Sequence, residues 1–188
     1  FSTFDDSSLL SVAPIPSQRA EYVAPAEVSA RAAISVDLGS QTIMFQKNPD
    51  LKVPIASLTK LMTAYIILDE EDPNALVTVS ANAAATQGST MGLVSGETMS
   101  VRNLLFGLLI NSGNDAAVAL AEYNTGSESN FVKKMNLKAD ALGLEQSQFS
   151  NSTGLDIGEA YSTPRDLALL SSYLLQDDTV REIVNLKT

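Results

Sequence analysis

The stretch "PIASLTKLMTAYIIL", Pro54 to Leu68, sets a serine three positions ahead of a lysine at the mouth of an apolar run. Spacing i, i+3 brings Ser57 and Lys60 onto one face of a helix. Pro54 stands just ahead of the first turn and "EDPN", Glu71 to Asn74, closes the run, so a helix is predicted over about Ala56 to Asp69. The positive end of that helix and the apolar residues on both sides disfavour a charged ammonium. Each should lower the Lys60 pKa toward the range of a useful base. Ser57 would then be the nucleophile, Lys60 its activator, and the Ser57 backbone N–H a donor to an oxyanion. The plain alternative is a helix-start serine with a solvated lysine one turn later. About one chance match to so short a motif is expected in such a chain.

Composition narrows the chemistry further. Among 188 residues there is no histidine and no cysteine. Disulfides, thiolate metal sites, a cysteine nucleophile and the usual histidine base are therefore excluded, and no metal or cofactor is expected. Acid–base work must fall to Lys, Tyr, Asp or Glu. The net charge of −10 argues against a nucleic-acid partner, since no basic face is available to neutralise phosphates. Lys133 and Lys134 are the only adjacent basic pair, so no polybasic membrane patch is read either. No apolar run approaches the roughly 20 residues of a membrane span. The chain starts with Phe1, from which a processed or engineered N-terminus, its signal peptide removed, is expected. The length suits one well-buried domain, or a domain with a small appendage.

Residues 1–30 mix Ser, Ala and Pro without a period and read as a spacer or surface arm. "AAISVDL", "GS" and "QTIMFQ" then read as a β-hairpin about a two-residue turn. "ALVTVS" is a short extended piece. A helix is predicted from Val101 with Ser100 as its N-cap, and another over "AAVALAEY". "SESNFVKKMNLKADALG" is amphipathic, with Phe131, Met135, Leu137 and Leu142 near one face and Gly143 as the stop. "FSNSTGLD" is turn-rich. "YSTPRDLALLSSYLL" is a last strong helix, with Thr163 as N-cap and Pro164 at its first position. Asp69 to Asp72 read as a solvated acidic rim without calcium-loop spacing, and Met62, Met91, Met99 and Met135 as packing.

A second candidate element lies in "LINSGNDAAVALAE", where Ser112 and Asn114 flank a glycine. Any helix–helix turn favours these residue types. A functional reading makes Ser112 a hydroxyl relay between Lys60 and a leaving nitrogen, and Asn114 an amide that binds a substrate backbone carbonyl.

The order Ser-x-x-Lys and then Ser-x-Asn agrees with the first two motifs of the β-lactamase and penicillin-binding enzymes. The chain resembles the low-molecular-mass penicillin-binding proteins, the serine D-alanyl-D-alanine carboxypeptidases, from about Ala32 onward. The stretches that carry the resemblance are "VDLGSQTIMFQKNPD", "PIASLTKLMTAYIIL", "GSTMGLVSGETMSVRNLLFGLLINSGNDAAVALAE", "FVKKMNLKADALGL", "FSNSTGLD" and "YSTPRDLALLSSYLL". The resemblance implies an α/β (α+β) fold of the β-lactamase/DD-peptidase type, with an N-terminal β-hairpin and a mostly helical body. It implies Ser57, Lys60 and Ser112 as catalytic and Asn114 as substrate-binding. The implied substrate is a peptidoglycan stem peptide, with β-lactams trapped covalently on Ser57, outside the bacterial cytoplasmic membrane.

One family motif is missing. No Lys-Thr-Gly occurs; Lys187-Thr188 lacks the glycine and follows the helix-like "VREIVNLK". Residues 31–188 are thus expected to be the N-terminal and helical part of the domain, without the C-terminal sheet strands, and one hairpin face should be exposed. A fragment of a longer enzyme is the preferred explanation. A second chain completing the sheet and a natural binding-only form are the others. Competing functions are a non-catalytic cell-wall or partner-binding module and a class A-like β-lactamase, against which "FSNSTGLD" offers no water-activating glutamate.

Overall fold

In the computed structural model, residues 27–155 and 159–186 are described. Residues 1–26 of the arm expected over 1–30, and the Lys187-Thr188 pair, lie outside them. The chain forms two compact units that divide between Pro49 and Asp50.

The first unit carries the hairpin, β1 Ala33–Asp37 and β2 Thr42–Lys47, paired antiparallel with a register shift between Ser35 and Val36. Its connection is longer than the two-residue turn expected. Leu38 to Gln41 make it, because the Asp37 carboxylate accepts from both the backbone N–H (2.8 Å) and the hydroxyl (2.6 Å) of Ser40. That local acceptor closes the turn one residue early on the first strand. Leu38, Ile43 and Met44 are exposed.

The second unit is helical. A 3-10 turn, Ala56–Leu58, leads into α1 Thr59–Glu70. A small antiparallel pair follows, β3 Leu76–Thr78 with β4 Thr98–Ser100, enclosing the short α2 Ala81–Ala84. Then come α3 Val101–Ile110, α4 Asn114–Thr125, α5 Glu128–Ala141, α6 Pro164–Leu174 and α7 Asp178–Val184. None of the described helices is long and apolar enough to cross a membrane.

The helix starts follow local chemistry. The side chains of Ser100 and Thr163 accept from the N–H groups of Asn103 and Asp166, and Pro164 sits at the first turn of α6. Each such cap is worth about 1 kcal/mol.

Helix α4 is the centre of this unit. Residues Asn114 through Ala121 are buried, and its alanines let α1, α2, α3 and α5 close on it. The core fills with Met62, Ile66, Ile67, Leu104, Leu105, Leu108, Leu120, Phe131, Met135 and Leu170. Each fully buried side chain of this size contributes about 1.5–3 kcal/mol.

The loop before β4 is tied down by the buried Asp115 carboxylate. It accepts the N–H groups of Met91 (3.0 Å), Gly92 (2.9 Å) and Leu93 (3.0 Å), and of Ala116 (2.9 Å). Met91 in turn covers Gly107, where an added Cβ would lie 2.2 Å from its sulfur.

One expectation is corrected on α5. Leu137 is 71% exposed; the inner face is Phe131, Met135 and Ala139, which repeat every four residues while Leu137 points away. The acidic end of α1 is largely exposed, as expected, and carries surface ion pairs. Asp69 pairs with Lys138 at 2.7 Å and Glu70 with Lys134 at 2.6 Å, while Asn124 donates to Glu71.

Candidate active site

The segment entering the 3-10 turn is held on both flanks. Arg165 donates to both oxygens of Asp50, at 2.6 and 3.1 Å. Val53 and Ser162 exchange backbone hydrogen bonds at 2.9 and 3.1 Å, and Tyr161 does the same with Gln148. Ile55 is buried beneath the turn. Ala56 then adopts φ +45°, a left-handed conformation that costs a non-glycine residue about 1 kcal/mol or more. The strain sits one residue before the exposed Ser57.

Ser57 is exposed within the 3-10 turn, ahead of the α-helix proper, whereas Lys60 is 2% exposed in its first turn. The Lys60 Nζ lies 3.4 Å from Ser57 Oγ and donates to the Thr153 carbonyl oxygen at 2.7 Å. Burial lowers its pKa from the ordinary 10.5 to about 8. A neutral amine is therefore accessible near neutral pH, beside a hydroxyl it can deprotonate.

Thr153 belongs to a loop that sequence reasoning read only as turn-rich. The Asn151 side-chain oxygen accepts from the N–H and hydroxyl of Thr153 and from the N–H of Gly154 at 2.6 Å, folding the loop on itself. Gly154 has φ +76°, and a Cβ there would lie 1.9 Å from the Ala56 carbonyl oxygen. Only glycine permits this approach of loop to turn. One helical turn beyond Lys60, Thr63 donates its hydroxyl to the Ser152 carbonyl at 2.8 Å. Consecutive loop carbonyls thus receive donors from one face of α1. The "NSTG" run was the signal available for this, but it names side chains while the contacting atoms are main-chain oxygens.

Ser112 joins Ser57 and Lys60 around one cleft of about 440 Å³, whose apolar walls include Ile55, Leu58, Leu61, Leu108 and Leu109. Ser112 has φ +54°, and its buried Oγ has no hydrogen-bond partner. An unpaired hydroxyl costs about 1–3 kcal/mol to bury; the buried Thr59 Oγ1 is likewise without a partner.

Asn114 is placed differently. It is 3% exposed and does not line this cleft. Its amide donates to the Gln87 carbonyl at 2.8 Å and its backbone N–H to the Ser89 carbonyl at 2.7 Å. In this structure it fastens the 87–89 loop to the start of α4. Gly88 leaves room for it, since a Cβ there would sit 2.7 Å from the amide nitrogen.

Residues 19–187 match the family model described as D-alanyl-D-alanine carboxypeptidase. Among curated relatives, the D-alanyl-D-alanine carboxypeptidase DacF of Bacillus subtilis is 38% identical over 80% of this chain and 40% of its own length. DacC of Escherichia coli, of the same description, is 39% identical over 88% of this chain and 44% of its own. Among solved structures, penicillin binding protein 6B from Escherichia coli superposes with a TM-score of 0.82 at 35% identity, covering 87% of this chain and 55% of that one. The chain thus spans about two fifths of the length of these curated relatives.

Proposed function

Since the chain belongs to the D-alanyl-D-alanine carboxypeptidase family, we propose that it carries the acylating centre of a serine-type enzyme that trims D-Ala-D-Ala termini from peptidoglycan stem peptides. The observation that supports this best is the buried Lys60, its pKa lowered to about 8, with its Nζ 3.4 Å from the exposed Ser57 Oγ.

Neutral Lys60 takes the Ser57 proton as Oγ bonds to the carbonyl carbon of the penultimate D-alanine. The carbonyl electron pair moves to oxygen, toward the Ser57 N–H. Collapse of the tetrahedral species breaks the C–N bond. The proton passes from Lys60 through the unpartnered Ser112 hydroxyl to the departing D-alanine nitrogen. Water, deprotonated by Lys60, then attacks the ester and frees Ser57. Asn114 is the substrate-binding amide of the Ser-x-Asn motif and also fastens the 87–89 loop to the start of α4. A β-lactam acylates the same serine, but its leaving nitrogen stays tethered.

The substrate implies work outside the cytoplasmic membrane, in the bacterial cell envelope, where trimming stem peptides bears on cell-wall growth and shape. The test is release of free D-alanine from a peptide ending in D-Ala-D-Ala, which should require both Ser57 and Lys60. A folded chain that binds the peptide without releasing D-alanine supports a non-catalytic module instead.

A further inference from the structure

We infer that Glu128, at the start of α5, is a positioning residue for the Lys60 centre, acting through Ser152. This rests on the reading of Lys60 as the general base. Glu128 Oε1 accepts both the N–H of Ser152 (2.9 Å) and its hydroxyl (2.5 Å). Ser152 is fully buried, and its carbonyl accepts from Thr63. Every polar group of Ser152 is therefore occupied, two of the three by one carboxylate oxygen.

The next carbonyl, that of Thr153, is the acceptor for Lys60. Glu128 holds the loop from the start of α5, and α1 holds it through Lys60 and Thr63. Loop residues Ser152 to Gly154 are buried, and the loop rests against the 56–59 turn. Without the carboxylate, two buried donors on Ser152 lose their partner, and such groups are satisfied by rearrangement or by entering water. Either outcome moves the Thr153 carbonyl off Lys60 and hydrates the ammonium. No charged group besides Lys60 itself is needed, because burial is the cause of its lowered pKa. The demand on Glu128 is for an acceptor oxygen in place, which a glutamine amide also supplies.

The test compares Glu128→Ala, Glu128→Gln and, as an exposed neighbour on α5, Ser129→Ala. Two readouts are taken: Lys60 titration by 13C NMR of the labelled side chain, and the rate of penicillin acylation. Glu128→Ala should raise the Lys60 midpoint toward the ordinary lysine value by about half a unit or more and slow acylation about tenfold, as misplaced catalytic groups do. Glu128→Gln and Ser129→Ala should match the wild type in both. If Glu128→Ala does not fold, Ser152→Ala, which keeps the N–H but loses the hydroxyl donor, should shift the midpoint the same way by less. An unmoved Lys60 midpoint in the folded Ala variant overturns the inference, as does a glutamine variant as impaired as the alanine one. A wild-type chain that resists penicillin counts against the proposed function alone, because the titration still decides the role of Glu128.

Discussion

The Lys60 Nζ and the Thr153 carbonyl oxygen meet at 2.7 Å although 93 residues separate them in the chain. Helix α1 supplies the amine and a loop after α5 supplies its acceptor, so the centre exists only once the helical unit has closed. That contact ties the surroundings of Lys60 to folding of the helical unit.

Acylation should depend on pH through Lys60. With a pKa of about 8, about a tenth of the lysine is neutral at pH 7. The rate of penicillin acylation should rise nearly tenfold per pH unit below that value and level off above it. Stopped-flow or quench measurement between pH 6 and 9 checks this, and a flat profile would remove Lys60 as the base.

The same lysine should leave a signature in stability. Folded Lys60 loses its proton near 8, and in the unfolded chain near 10.5. Between those values the unfolded state holds the extra proton, so the cost of burying the charge is fully present below the window and is relieved as pH rises through it. Lys60→Met has no such dependence. Relative to it, the wild type should gain about 3 kcal/mol in unfolding free energy across the window, as urea titrations at several pH values would register.

Gly154→Ala should be severe. The variant combines positive φ with a Cβ 1.9 Å from the Ala56 carbonyl oxygen, and the loss should exceed about 2 kcal/mol. Acylation should fall with it, because the displaced loop carries the Thr153 carbonyl. A stable, fully reactive alanine variant is the outcome that the close approach forbids.

Asp115 is tested through stability. Its carboxylate accepts four backbone N–H groups. Asp115→Ala orphans them inside the protein and should cost about 3–5 kcal/mol in urea unfolding. Asp115→Asn, with one acceptor oxygen left, should fall between.

Much of this architecture is legible in the residues because its causes are local. Ser100 and the Thr163-Pro164 pair announce their helices by cap chemistry, and both caps form as expected. That Ser57 and Lys60 lie side by side is legible from their three-residue spacing. What escaped reading depends on partners distant in sequence or on the main chain. Strand β4 is three residues long and exists by pairing with β3, while α2 is a single turn. Leu137 looks apolar enough to belong inside, yet the four-residue repeat of Phe131, Met135 and Ala139 turns it outward. The Thr153 oxygen is a carbonyl that any residue carries, so only folding reveals that Lys60 needs it. Asn114 is legible as the last residue of Ser-x-Asn, but its hydrogen bond to the Gln87 carbonyl is not.

The most direct test of the central claim is intact-mass analysis of the folded chain after incubation with a penicillin, followed by peptide mapping. The account predicts a single adduct of the whole drug mass on Ser57, abolished in Ser57→Ala and strongly slowed in Lys60→Met. A folded wild-type chain that gains no mass, or an adduct that persists in Ser57→Ala, would contradict it.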